Sequence, residues 1–164
     1  MLRLSKLTDY AVVVLVQLAR GGAVQTAPGI ACATAVPEPT VAKVLKILAA
    51  TGLVTSLRGA RGGYRLARPL AALPVAEVIA AVAGPIALTA CVDGSLVACE
   101  QSRSCPMSGR WLRVNEAIRE ALAGITLADM VGKAGADMVG EMGAEAARAA
   151  HPAPRPLMTI EEAL

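Results

Sequence analysis

Two prolines in three residues, within Val36-Pro37-Glu38-Pro39, force a sharp break between two helical patterns. A residue that precedes proline is pushed out of helical geometry by the pyrrolidine ring, so no single helix can cross this point. Upstream, Thr26 is placed to cap a short helix over Ile30 to Thr34, with Pro28 in its first turn. Downstream, a helix opens at Pro39-Thr40. It repeats Val41, Val44, Leu45 and Leu48 on one face and turns Thr40, Lys43 and Lys46 to the other. Two short helices across a tight break, the second with a polar and basic outer face, form a helix-turn-helix pattern, whose second helix reads the major groove of DNA.

The flanking sequence completes the pattern. Leu7, Ala11, Val14, Leu15 and Leu18 recur at helical spacing until Gly21-Gly22 ends the run. After Gly52, Leu53 to Leu57 and Tyr64 to Ala67 read as two strands joined by Arg58-Gly59-Ala60-Arg61-Gly62-Gly63. This hairpin is a wing. Its glycines let the tip approach another surface, and Arg58, Arg61 and Arg65, with Tyr64 beside them, suit phosphate or minor-groove contact. Leu73 to Val82 forms a further helix closed by Gly84-Pro85. Trp111, Val114, Ile118, Ala121 and Leu122 then mark an apolar stripe on a helix of about fourteen residues ending at Gly124. In a chain this short, the expected partner for that stripe is the same helix of a second copy. The dimer-interface residues are therefore Trp111, Val114, Ile118 and Leu122.

Charge separates the chain into halves. Residues 1–70 hold nine Lys/Arg against two Asp/Glu, a net of +7, while residues 71–164 hold seven against eleven, a net of −4. The basic half points to a polyanion partner. No uncharged apolar run is long enough to span a bilayer, and the apolar stretch after Asp9 lacks the basic lead of a secretory signal, so a cytoplasmic location without membrane association is expected.

Cys91, Cys99 and Cys105 lie within fifteen residues of one another, in a stretch without periodicity that reads as a loop. Thiolates are the preferred ligands of iron-sulfur clusters and bind zinc well. Zinc knuckles favour two-residue spacings, whereas seven and five residues separate these cysteines. A cluster is the principal reading, with structural zinc or a thiol-disulfide switch as alternatives. Arg103 or Arg110 would activate a thiol in the last case. Cys32 reads as a small core residue. A thiol oxidoreductase is a distant alternative, because no Cys-x-x-Cys is present and the lone histidine, His151, lies near prolines at the far end. The chain is not expected to be an enzyme.

These motifs resemble the iron-sulfur-dependent winged-helix repressors of the IscR/NsrR-like family, and within it the regulators of the SUF cluster-assembly system. The resemblance covers about residues 1–130. It is carried by Leu2-Arg3-Leu4-Ser5-Lys6-Leu7-Thr8-Asp9-Tyr10-Ala11, Pro39-Thr40-Val41-Ala42-Lys43-Val44-Leu45, Arg58-Gly59-Ala60-Arg61-Gly62-Gly63-Tyr64, the three cysteines, and Arg113-Val114-Asn115-Glu116-Ala117-Ile118. It implies a homodimer on double-stranded DNA with an inverted-repeat operator, repressing iron-sulfur assembly genes. It also implies a cluster held by Cys91, Cys99 and Cys105, a [2Fe-2S] centre in preference to [4Fe-4S]. The family's cluster-assembly sensor has a histidine ligand shortly after the third cysteine, where Pro106, Met107 and Ser108 stand here. Similarity to the family's nitric-oxide sensor makes Asp9 of the partner subunit the leading fourth ligand, with Asp93 and Glu100 as rivals. A second departure, Pro28-Gly29, is expected to shorten the second helix.

The expected fold is mainly α with a small β-hairpin wing, a winged helix-turn-helix with a C-terminal dimerisation helix. Residues 1–84 form the DNA-binding domain, 85–130 the cysteine sensor loop and dimerisation helix, and 131–164 a disordered tail.

Overall fold

The computed structural model describes residues 4–59, 61–92, 95, 99 and 104–131. Asp93, Glu100, Arg103, His151 and, past Val131, the tail expected over 131–164 lie outside the described residues.

Ser5 starts the first helix, α1 (Lys6–Gly21), by accepting the Thr8 amide N–H on its hydroxyl at 3.1 Å. Gly22, at φ 60°, ends the helix in the left-handed conformation. Ala11, Val14, Leu15 and Leu18 form the buried stripe of α1, as their spacing implies.

The second helix, α2 (Ala27–Thr34), starts three residues earlier than expected and takes in Pro28 and Gly29. Thr26 caps it, accepting the Gly29 amide N–H at 3.3 Å. Pro28 is tolerated because a first-turn residue has no intrahelical acceptor for the N–H that proline lacks. The turn into α3 (Glu38–Ala50) passes through Ala35, held at φ 56°. A left-handed alanine costs about 1–2 kcal/mol, so the surrounding packing over-determines this bend. Val41, Val44, Leu45 and Leu48 of α3 are fully buried.

Strands β1 (Val54–Leu57) and β2 (Gly63–Leu66) form the antiparallel wing, in register with Val54 opposite Leu66 and Ser56 opposite Tyr64. A single 3-10 turn at Leu70–Ala72 then leads to α4 (Val75–Ala83). Leu73 was expected inside this helix, but Pro74 occupies the cap and displaces the start to Val75. Leu73 is still fully buried, which explains why it fits the apolar pattern.

The helix α5 (Leu112–Ala123) packs on α4. The short α6 (Leu127–Val131), which the apolar pattern did not reveal, packs against α1. A reciprocal capping box starts α6. The Asp129 carboxylate accepts the Thr126 amide N–H at 2.8 Å and the Thr126 hydroxyl at 2.7 Å, while Thr126 Oγ1 accepts the Asp129 amide at 3.3 Å. The hydroxyl bond first, and the amide bond second, hold the Asp129 carboxyl below its ordinary 3.8. Leu127 joins the core built by α1, α3 and α4. Among the described residues, no helix is long and apolar enough to cross a membrane.

Candidate nucleic-acid interface and cysteine segment

The packing of α3 fixes what it can present. With four apolar side chains turned inward, Lys43 and Lys46 are exposed and Thr40, in the first turn, is half-buried. Thirteen residues make a rod about 20 Å long, enough to lie in a major groove. The two lysines can meet phosphates, and Thr40 can offer a hydroxyl at the N-terminal end of the helix.

The wing supplies a second cationic edge. Arg58, Arg61 and Arg65 are exposed and Tyr64 is half-buried. Arg68, at the base of the hairpin, is instead paired with Glu77 of α4 and donates to the Ala72 carbonyl at 3.3 Å, so its charge is already partnered within the fold.

The wing is anchored by a residue that sequence patterning did not single out. Gln25 exchanges two backbone hydrogen bonds with Tyr64, at 2.9 and 2.7 Å, adding a one-residue third strand to the hairpin. Its side chain reaches back to α1, donating to the Gln17 carbonyl at 3.0 Å and accepting from Gln17 Nε2 at 3.2 Å. Contact between strand and loop is so close that a Cβ at Gly63 would lie 2.5 Å from the Gln25 carbonyl oxygen. Only glycine fits there. At the tip, Gly59 adopts φ 107°, a conformation closed to other residues without strain.

The three cysteines lie between α4 and α5, each a free thiol and each half-buried. Thr89 Oγ1 lies 3.2 Å from Cys91 Sγ. Among the described residues, no three His, Cys, Asp or Glu side chains converge into a metal-holding group, so the fold does not bring the thiols together as a preformed cage. The donor chemistry nevertheless suits an iron-sulfur centre, since none of the three thiols is in a disulfide and all lie in one segment. Asp9 is exposed in the first turn of α1. Cys32, expected as a small core residue, is exposed on α2 instead.

The stripe on α5 is divided. Trp111 at its cap and Val114 are 39% and 44% exposed, whereas Ile118 is half-buried and Leu122 packs against the subunit's own core. The one buried residue of this helix is polar. Asn115 accepts the Leu88 amide N–H on Oδ1 at 3.0 Å and donates from Nδ2 to the Ile86 carbonyl at 3.1 Å, which fixes the strand of chain that leads into Cys91.

The arrangement has close counterparts. Over 131 residues the chain is 33% identical to the protein aau3 of Rhizobium meliloti, covering 79% of this chain and 85% of that protein. The structure of CymR, the global cysteine regulator of B. subtilis, superposes with a TM-score of 0.59 at 28% identity, covering 79% of this chain and 96% of CymR. T. potens IscR superposes at 0.57 and 29% identity, covering 86% and 94%. These folds are those of winged-helix regulators of transcription and not of enzymes. With residues 4–133 matching the model of the iron-dependent transcriptional regulators, and the helix-turn-helix, wing and following helices all in place, the chain belongs to the Rrf2 family.

Proposed function

We propose that this regulator is a homodimeric repressor that binds an inverted-repeat operator in double-stranded DNA and adjusts its affinity to the state of an iron-sulfur cluster. The observation that carries the reading is the placement of three free, half-buried thiols directly before α5, in the same compact unit as a basic helix and an arginine-rich wing. Cys91, Cys99 and Cys105 are the chain's own ligands, and Asp9 from the partner subunit is the leading fourth. When bound, the cluster supplies a centre whose loss responds to oxidant, nitric oxide or iron scarcity. A two-iron centre with one oxygen ligand is favoured over a four-iron centre. The genes controlled are those of SUF cluster assembly, a reading that rests on the sequence motifs.

In this reading Lys43, Lys46, Arg58, Arg61 and Arg65 neutralise phosphates, and Thr40 and Tyr64 supply polar contacts. The subunit interface is centred on the exposed Trp111 and Val114, with Ile118 and Leu122 at its inner edge, where Leu122 also meets the subunit's own core. Two DNA-reading helices must match half-sites one turn apart, which a symmetric dimer provides.

The test is an ultraviolet-visible spectrum of protein purified without oxygen, with iron and acid-labile sulfide assayed on the same sample and on Cys99→Ala. Visible bands with iron and sulfide, lost in the variant, support the reading. A protein that stays colourless after reconstitution overturns it, leaving structural zinc or a thiol-disulfide switch to explain the three thiols.

A further inference from the structure

We propose that Asn115 is a positioning residue that ties the Cys91 end of the cysteine segment to α5, so that a change at the thiols is delivered to that helix; the delivery, though not the tie, rests on the proposed sensor reading.

The segment reaches α5 by two routes. At its far end the connection is the chain itself. Cys105 accepts from the Ser108 amide at 3.1 Å, Met107 from the Arg110 amide at 3.1 Å, and Gly109 from the Leu112 amide at 3.2 Å, a chain of turns running straight into the helix. At its near end the connection is Asn115. Its carboxamide pairs with Ile86 and Leu88, an acceptor and a donor two residues apart, as a neighbouring strand would. Leu88 stands three residues before Cys91, and Thr89, in contact with Cys91 Sγ, lies between them.

Chemistry explains why the residue is asparagine. A buried amide must both donate and accept to satisfy these two backbone groups, and asparagine has one of each in a single plane. An apolar residue would bury more hydrocarbon but strand both backbone groups. Aspartate could accept from Leu88 but would set an oxygen against the Ile86 carbonyl. The 3% exposure of Asn115 makes each choice consequential.

The test uses the full chain, reduced and metal-free, and follows alkylation of each cysteine by iodoacetamide, resolved by peptide mass spectrometry. Asn115→Ala is expected to raise the Cys91 rate on the order of tenfold, the change in open population that losing two part-buried hydrogen bonds brings. Cys105, held by the chain of turns, keeps its rate. Asn115→Asp, which retains the Leu88 bond, falls between and serves if the alanine variant does not fold. An unchanged Cys91 rate, or an equal rise at all three cysteines, overturns the tie. A core control, Val14→Ala, destabilises the unit without touching the clamp and should leave the Cys91 rate alone.

Delivery is read from Kd for a duplex selected by the wild-type protein from a randomised pool, measured with reconstituted and with metal-stripped protein. Asn115→Ala should bring the ratio of the two Kd values toward one, and Val14→Ala should preserve it. A wild-type ratio of one overturns the sensor reading and the delivery with it. A wild-type ratio that survives in Asn115→Ala overturns the delivery alone.

Discussion

Replacing Gly63 by alanine drives a methyl group into the loop that anchors the wing, and the cost follows from the geometry. The new Cβ would stand 2.5 Å from the Gln25 carbonyl oxygen and 2.8 Å from Val24 Cγ1. The first contact is with backbone, which cannot rotate away, and an ordinary separation is at least 3.4 Å, so the strands must part by about 0.9 Å. The Gln25–Tyr64 hydrogen bonds, at 2.7 and 2.9 Å, would then open toward 3.6–3.8 Å, beyond useful range. Two bonds lost at about 0.5–1.5 kcal/mol each give roughly 1–3 kcal/mol. At about 4 °C per kcal/mol for a unit of this size, the melting temperature should fall by roughly 4–12 °C. Because the wing carries Arg58, Arg61 and Arg65, operator affinity measured well below the melting temperature should also fall, with a shallower dependence on salt. Circular dichroism melting and a titration of labelled duplex at several salt concentrations check both. A variant that melts with the wild type and binds with the same salt slope would refute the claim that Gln25 anchors the wing through Gly63.

Arg61→Ala leaves the anchor intact and removes one exposed cation, so melting should be unchanged while the slope of log K against log salt loses about 0.9 for each Arg61 engaged; an unchanged slope takes Arg61 out of the interface. Asp129→Asn tests the cap of α6. The Asp129 carboxyl titrates below its ordinary 3.8 in the folded protein, so its contribution is present above 3.8 and is lost as pH falls through the depressed folded value. Melting of wild type and variant should therefore differ at pH 7 and converge in strong acid, and a difference that persists there would assign the effect to something other than the carboxylate.

Much of the fold was legible because it is written in short-range chemistry. Pro37 and Pro39 mark the break, and the period of Val41, Val44, Leu45 and Leu48 sets which way Lys43 and Lys46 face. The glycines at 59, 62 and 63 mark the tip of the hairpin. The start of α2 was placed late because the Pro28-Gly29 pair was expected to shorten the helix, whereas both residues fit within its first turn. The start of α4 was misplaced because burial of Leu73 mimics helical periodicity. The short α6 had a readable signal, Thr126-x-x-Asp129, that an apolar-period search passes over. Gln25 and Asn115 had none. Each acts on backbone groups far along the chain, Asn115 across 27 and 29 residues, and nothing local in a sequence records which carbonyl will need a donor. Convergence of the cysteines is equally beyond spacing, because loop geometry decides it.

Energetics constrain how a signal at the cysteines could alter DNA binding. The buried face of α3 places four fully enclosed apolar side chains against neighbouring helices, worth roughly 6–12 kcal/mol in gross burial. Coupling between two sites in a protein is typically about 1–3 kcal/mol. A signal of that size cannot slide Lys43 and Lys46 across their own subunit. By contrast, α5 is held to its subunit by Asn115 and Leu122 while its Trp111 and Val114 are exposed. Its one buried residue is polar, against four buried apolar residues on α3, so reorienting it is the cheaper motion. In the proposed dimer, the recognition helices would therefore move as parts of rigid subunits, and what the cysteines control would be the separation of the two readers and not the shape of either.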